Sequence, residues 1–237
     1  KLTMSEQLNL DEIWVIARRK ERLEAWQKHY TEQTFRVLPL DMQKREDLAV
    51  LREELQKVQP EISLMIHCAG FGIMGRIDEI DVEEQLEMVD VNCRSVVELT
   101  TMVLPYMERG GRMIYVASSA AFLPQPGFAV YSATKAFVLS FVRSLRVECR
   151  EQNLGITVVC PGAVKTEFFK RAAEQKHLPA YKKMVMADPK KVVRKAWRDN
   201  MAGREISVYG KPMKLFHTAS KVLPHKVFLH FMGRQKK

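Results

Sequence analysis

The chain has 237 residues, of which 46% are hydrophobic, and its net charge at pH 7 is +10. This size and hydrophobic fraction suit one α/β domain with a full core, and they exclude fibrous and disordered proteins. The sequence has no run of about 18 uncharged apolar residues, and its first ten residues are too polar for a signal peptide, so we expect a soluble, cytoplasmic protein.

The cysteines give no indication of a metal centre or of a disulfide framework. They stand far apart, with no Cys-x-x-Cys pair, at Cys68, Cys93, Cys149 and Cys160. Buried thiols in a reducing compartment are therefore the favoured interpretation.

The positive charge is concentrated in the last third of the chain. Residues 170–237 contain 18 Lys and Arg against 4 Asp and Glu, whereas the first 169 residues are net negative. Such a segment can attract phosphorylated ligands, acidic carrier proteins, anionic membranes or nucleic acid. No nucleic-acid recognition module accompanies the charge, so we expect no nucleic-acid partner.

Apolar strands alternate with helices along the first part of the chain. The predicted strands cover residues 13–17, 35–40 and 63–66, and the helices between them cover about 20–28 and 47–57. The third strand runs into His67-Cys68-Ala69-Gly70-Phe71-Gly72, a turn of mostly small residues that lets a ligand approach the backbone closely.

The same alternation continues to about residue 209. The predicted elements are a helix near 81–107, a strand at 112–117, a helix from Tyr131 to about 151, a strand at 155–160, helical residues within 165–200 and a strand at 205–209. Strands that alternate with helices of ten or more residues predict an α/β fold with a doubly wound, Rossmann-type parallel sheet covered by helices on both faces. Ligands bind such sheets beyond the carboxyl ends of the strands.

We expect one catalytic domain over residues 1–210 and a basic, apolar helical appendage over residues 211–237. After Met213, apolar residues interleave with Lys and Arg, and Pro224 interrupts them. This pattern fits an interfacial membrane helix, but a packed helix with a solvated face is the favoured interpretation.

One spacing suggests proton-transfer chemistry. Tyr131 and Lys135 are four residues apart, so they share one face of the predicted helix. A phenol with a pKa of about 10 is a poor acid-base catalyst near neutrality, and a nearby ammonium favours its phenolate. A Tyr and a Lys at the solvated edge of an ordinary helix often have the same spacing. Other residues must therefore decide whether this pair is catalytic.

Further motifs surround this pair in a fixed order. Ser118 lies thirteen residues before Tyr131 at the end of a predicted strand, and Asn92 lies on the helix before that strand. Pro161-Gly162-Ala163-Val164-Lys165-Thr166 follows the next strand. With these motifs, the chain resembles the short-chain dehydrogenase/reductase family from about residue 13 to residue 209.

The resemblance implies a role for each residue of the constellation. Tyr131 would be the general acid in reduction and the general base in oxidation, while Lys135 would depress its pKa and bind the nicotinamide ribose. Ser118 would polarise the substrate carbonyl, and Asn92 would hold its helix and a water in a proton relay. Ser119 is less favoured, because it falls one residue short of the family's spacing to the tyrosine. The hydride chemistry belongs to the cofactor.

The resemblance also indicates the cofactor. Arg18 follows a strand where relatives that use the non-phosphorylated cofactor usually carry an acidic residue, and an arginine there can pair with the adenosine 2′-phosphate. We therefore expect NADP rather than NAD, with Arg19 as a helper. The other cofactor-contacting positions implied by the family are Asp41, Met42, Ala69, Gly70, Asn92, Tyr131, Lys135, Pro161, Gly162, Val164 and Thr166.

Two departures from the family pattern stand out. His67-Cys68 replaces an Asn-Asn pair, and a structural role for His67 is favoured over a catalytic one.

The glycine-rich phosphate loop is absent, since the first glycine is Gly70. In the family, the first strand lies between the strands found here at 13–17 and 63–66, so its omission would leave a slot with unpaired backbone groups. We expect the sequence to begin partway through a longer polypeptide, which intact mass measurement can test.

The substrate pocket is expected to be apolar, for a ketone or an acyl chain. Its candidate residues are Phe122, Leu123, Gln125, Phe128, Phe168, Phe169 and Met184. The favoured function is an NADP-dependent oxidoreductase acting on a carbonyl or alcohol. The alternative is a catalytically inactive family member that serves as a nucleotide-sensing or interaction module. The resemblance also implies a homodimer or homotetramer.

Overall fold

The structure is a computed structural model that describes residues 10–168 and 186–234, the last four as backbone alone. The strands are β1 Ile13–Ile16, β2 Phe35–Leu38, β3 Ile62–His67, β4 Met107–Val116, β5 Gly155–Val159 and β6 Ile206–Ser207. The α-helices are α1 Lys20–His29, α2 Arg45–Val58, α3 Val82–Val89, α4 Ser95–Val103, α5 Ala129–Glu148, α6 Pro189–Met201, α7 Lys211–Val222 and α8 His225–Arg234.

All strand pairs are parallel, which confirms the predicted α/β class. The strands form a two-stranded sheet, β1-β2, and a four-stranded sheet in the order β3-β4-β5-β6. Within the described residues β1 and β3 do not pair, and both line a cavity of about 2320 Å³. This is the slot that the sequence predicts between these two strands.

The long helix predicted at 81–107 is divided. Asp81 caps α3 by accepting a hydrogen bond from the Glu83 amide at 2.8 Å. A π-helical segment, Asp90–Arg94, then separates α3 from α4, and a 3₁₀ turn at Leu104–Tyr106 follows α4. Pro105 ends the helix there because it cannot donate to the helical ladder. The strand expected to begin at 112 begins at Met107 instead.

The core lies between the four-stranded sheet and the helices on its faces. Met113, Tyr115, Ile156 and Val158 in β4 and β5 are fully buried, and Val142 of α5 packs in the same cluster. Complete burial of an aliphatic or aromatic side chain contributes about 1.5–3 kcal/mol. This packing fixes the carboxyl ends of β4 and β5 relative to the first turns of α5.

The C-terminal part follows the expected signals. Asp188 caps α6, with Pro189 in its first turn, and Pro224 lies in the break between α7 and α8. α7 packs on the 3₁₀ turn Ser119–Phe122, where the Phe122 and Phe216 ring centroids are 6.3 Å apart. Within the part of the chain that the structure describes, no helix has the length and hydropathy needed to cross a membrane.

Candidate active site

Tyr131 and Lys135 lie in the first two turns of α5, which begins at Ala129. Both side chains are buried, and the Lys135 Nζ atom lies 5.8 Å from the centroid of the Tyr131 ring. The Nζ atom donates a hydrogen bond to the Val116 carbonyl oxygen at 3.1 Å. This bond ties the start of α5 to the carboxyl end of β4.

Ser118 follows β4 at the same edge of the sheet. Its Oγ atom accepts a hydrogen bond from the Ala120 amide at 3.1 Å and thereby caps the 3₁₀ turn. The Ser118 hydroxyl also lies near enough to the Tyr131 hydroxyl to influence the pKa of the phenol. Thus two hydroxyl groups meet at the carboxyl end of β4, as the sequence predicts.

Burial controls the ionisation of both groups in the pair. Burial raises the pKa of Tyr131 to about 12, although the nearby Ser118 hydroxyl lowers it. Burial also lowers the pKa of Lys135 to about 8, an effect that Cys93 and the other nearby thiols oppose. Desolvation of the phenolate is the largest of the effects on Tyr131, and the role of Lys135 in depressing its pKa stays a prediction. Tyr131 is a protonated phenol at neutral pH.

Asn92 lies behind the pair, in the π-helical segment, and is fully buried. Its Oδ1 atom accepts from the Phe71 amide at 3.0 Å, while Nδ2 donates to the Phe71 carbonyl at 2.8 Å and to Thr134 Oγ1 at 3.0 Å. Asn92 therefore joins the loop after β3 to α5. π segments occur often at functional sites, but the spacing of apolar residues carries no signal for this one.

Two glycines after β3 allow this close packing. A Cβ atom on Gly70 would lie 2.9 Å from both Asn92 Oδ1 and Lys135 Nζ. A Cβ atom on Gly72 would lie 2.5 Å from Cδ2 of the Tyr131 ring. The sequence predicts close approach in this turn, but it did not single out Gly72 as a neighbour of Tyr131.

The cavity beside Tyr131 has an aromatic wall. Ring centroids of Phe128 and Phe168 lie 4.2 and 5.4 Å from that of Tyr131. Leu123 and Gln125 line the same cavity. Phe122 does not line it, because its ring packs against His217 at 4.4 Å. The pocket candidates Phe169 and Met184 lie outside the described residues.

The candidate nucleotide end of the cavity lies on the two-stranded sheet. Arg18 and Arg19 follow β1 and are more than half exposed, with nitrogens 4.0 Å from Asp41 Oδ2 and 3.7 Å from Glu167 Oε2. Asp41 and the buried Met42 follow β2 and line the cavity. The structure therefore brings these four candidate residues to one end.

The loop after β5 forms another border of the cavity. Ser119 donates its amide hydrogen to the Pro161 carbonyl at 2.8 Å, and Val164 forms a parallel bridge with Ala187. The sulfur of Met213 in α7 packs so closely on Gly162 that an added Cβ would lie 2.6 Å from it. The cavity-lining positions that complete the predicted cofactor set are Ala69, Gly70, Pro161, Gly162, Val164 and Thr166.

His67 is buried at the end of β3, where its Nε2 atom lies 3.5 Å from Ser95 Oγ and its ring stacks on Tyr115 at 6.2 Å. Burial, followed by the charge of Lys135, lowers the pKa of His67 to about 4. These contacts support a structural role for a neutral histidine.

Comparison with known proteins settles the family. A family model described as short chain dehydrogenase matches residues 5–177, well over half of the chain. The chain belongs to the short-chain dehydrogenase/reductase family. A solved short-chain dehydrogenase from Sphingobium yanoikuyae in complex with NADPH matches with a TM-score of 0.73 and 25% identity, covering 83% of this chain and 77% of that one.

Curated relatives of this short-chain dehydrogenase/reductase match shorter parts of the chain. A 3-dehydrosphinganine reductase from Danio rerio is 27% identical over 169 residues, covering 68% of this chain and 50% of that protein. Dehydrogenase OXI1 from Cochliobolus heterostrophus is 29% identical over 126 residues, covering 53% of this chain and 54% of its own. The chain thus spans about half the length of these two relatives.

Proposed function

We propose that this oxidoreductase uses NADP to interconvert a carbonyl and an alcohol on an apolar substrate, with Tyr131 as the general acid in reduction. The observation that carries the proposal is the buried side chain of Tyr131, which lies beside Ser118 and one helical turn from Lys135, at the wall of an aromatic-lined cavity. Acid-base side chains at the carboxyl ends of parallel strands are the arrangement that suits such chemistry.

The residues present fit a nicotinamide dinucleotide. Gly70 lines the cavity beside Lys135, and a larger residue there would collide with the Lys135 Nζ atom that is to meet the ribose. Among the described residues, the Lys135 ammonium donates one hydrogen bond, to Val116, which leaves two N–H groups for ribose hydroxyls. Arg18 and Arg19 supply exposed guanidinium groups for a 2′-phosphate at the other end. The NADPH complex of the Sphingobium relative supports this choice of cofactor.

The bound cofactor would supply the hydride. Ser118 would donate a hydrogen bond to the substrate carbonyl oxygen and polarise the C=O bond. Tyr131 would donate its proton to the same oxygen as the C–O double bond becomes a single bond, which completes the alcohol. The charge of Lys135 would stabilise the phenolate left on Tyr131. Tyr131 is protonated at neutral pH, which is the state that reduction requires.

The tyrosine gives the direct test. In Tyr131→Phe, we expect turnover of a panel of aldehydes, ketones and 3-oxoacyl thioesters to fall about 10³-fold, because the proton donor is lost. Fluorescence titration should find NADPH affinity unchanged. Tyr106→Phe, on a half-buried tyrosine of the 3₁₀ turn after α4, is the matched control.

Retained turnover in Tyr131→Phe would contradict the proposal. A wild-type protein that binds NADPH but turns over no compound of the panel would favour the alternative of an inactive, nucleotide-sensing family member.

A further inference from the structure

α7 and α8 have an inner face that belongs to the cavity. Met213, Phe216 and Phe228 line it, and the Phe216 and Phe228 rings contact each other with centroids 6.4 Å apart. Met213 also packs on Gly162, beside the candidate cofactor residues. These helices are therefore held against the active-site end of the protein by their inner face.

Their outer face exposes aliphatic side chains. Leu215 and Val222 are 72% and 76% exposed, and their spacing of seven residues places them on one side of α7. Leu223 and Val227, at the break and in α8, are also exposed. An amphipathic helix that simply faced water would carry polar residues at these positions. The expectation of a packed helix with a solvated polar face therefore describes the packing of the inner face, but it does not explain the apolar residues on the outer face.

Lysines surround this aliphatic face. Lys211, Lys214, Lys221 and Lys226 are exposed, and none of them forms a salt bridge with any residue in the described ranges. The sequence contains no Asp or Glu after Glu205. The outer face thus combines exposed apolar side chains with charged side chains that are all positive.

The combination of apolar surface and positive charge indicates which kind of partner can bind the outer face. A second copy of the chain placed symmetrically on the same face would bring like charges together, which opposes association. The interface of an anionic bilayer offers both partners at once, because aliphatic side chains enter the acyl boundary while lysines reach lipid phosphates.

We infer that the outer face of α7 and α8, defined by Leu215, Val222, Leu223, Val227 and the four lysines named above, binds the surface of an anionic membrane. The inner face of the same helices lines the cavity. Binding would therefore place the cavity close to the bilayer, where apolar carbonyl compounds concentrate. That last consequence rests on the proposed function, whereas the membrane binding does not.

Vesicle flotation tests the inference. The purified protein should float with vesicles containing phosphatidylglycerol and phosphatidylcholine but not with vesicles of phosphatidylcholine alone, and high salt should weaken the binding. Replacing Leu215 and Val222 by Ser should weaken binding at least about tenfold through lost apolar burial. Each replacement of Lys214 or Lys221 by Gln should weaken it roughly fivefold. The double variant Val50→Ser, Lys57→Gln on α2 removes an exposed valine and lysine elsewhere and should leave binding unchanged.

Three results would overturn the inference. They are no flotation of the folded protein, equal flotation of all variants, and a dimer in analytical ultracentrifugation that the Leu215 and Val222 replacements dissociate. The last result would make this face an interface between copies. Reduction of a water-soluble carbonyl compound, assayed without vesicles, should be unaffected by these replacements. A wild-type protein that does not reduce this compound would count against the proposed function and not against membrane binding.

Discussion

The two ends of the cavity are held in different ways. At the end proposed for catalysis, Asn92, Tyr131 and Lys135 are buried, and hydrogen bonds join Asn92 and Lys135 to the four-stranded sheet, to α5 and to the loop after β3. At the end proposed for the nucleotide, Arg18 and Arg19 are exposed beside the two-stranded sheet and approach their acidic neighbours at 4.0 and 3.7 Å.

This difference separates two kinds of function. Packing and buried hydrogen bonds define the catalytic end, so a substitution there should affect folding or turnover. Exposed ion pairs contribute little to stability, so a substitution at the nucleotide end should alter cofactor preference and leave the fold intact.

The largest effect is expected for Asn92. Asn92→Leu removes the three buried hydrogen bonds that the Asn92 side chain forms with the amide and carbonyl of Phe71 and with the hydroxyl of Thr134. We expect the free energy of unfolding in urea to fall by about 3 kcal/mol or more. Arg18→Leu is the control at the other end, and an equal loss of stability there would contradict the comparison.

His67 should make the catalytic end sensitive to acid. In the unfolded chain the His67 imidazole takes up a proton below about pH 6.5. In the folded chain it stays neutral down to about pH 4. The stability contributed by neutral His67 is therefore complete above pH 6.5 and is lost as the pH falls towards 4, by about 3 kcal/mol in total. Urea unfolding of His67→Asn should have a flatter pH profile over this range. A profile parallel to that of the wild type would rule out His67 as the source.

Gly72 tests the packing around the tyrosine. In Gly72→Ala the new Cβ would lie 2.5 Å from the Tyr131 ring, so the ring must move. A displacement of this size should lower kcat about 10²-fold, with NADPH affinity unchanged in the same titration. Gly75→Ala is the control, since its Cβ would meet the side chains of Ile80 at 2.7 Å and Glu79 at 3.8 Å instead of the Tyr131 ring. Normal turnover in Gly72→Ala would show that the position of the ring is not decisive.

The smallest effect is expected at the nucleotide end. Arg18→Ala should weaken NADPH binding about tenfold by removing a charge-assisted contact to the 2′-phosphate. NADH, which lacks that phosphate, should bind as before. Isothermal titration with both cofactors measures the difference, and equal weakening of both would exclude Arg18 as a selector.

The sequence allowed much of this site to be predicted because its motifs follow strand ends. Ser118, Tyr131 and Lys135 meet where the alternation of strands and helices places them, and the slot between β1 and β3 agrees with the strand order that the family resemblance implies. Three features depend on packing that periodicity does not encode. They are the π segment that turns Asn92 inward, the contact of Gly72 with the Tyr131 ring, and the burial that raises the pKa of Tyr131.

Phe122 illustrates the same limit in the apolar positions. Its position in the sequence predicts a pocket wall, but α7 packs on this part of the chain, so the Phe122 ring contacts Phe216 and His217 instead. An apolar residue near a catalytic serine can therefore serve the core or the pocket, and only the tertiary contacts distinguish them.

The central claim is that chemistry and cofactor choice lie at separate ends of one cavity. Steady-state kinetics of the wild type, Tyr131→Phe and Arg18→Ala, each with NADPH and NADH, test it most directly. We predict that Tyr131→Phe loses kcat with both cofactors and that Arg18→Ala raises only the KM for NADPH. Retained kcat in Tyr131→Phe, or an equal change with both cofactors in Arg18→Ala, would contradict the claim.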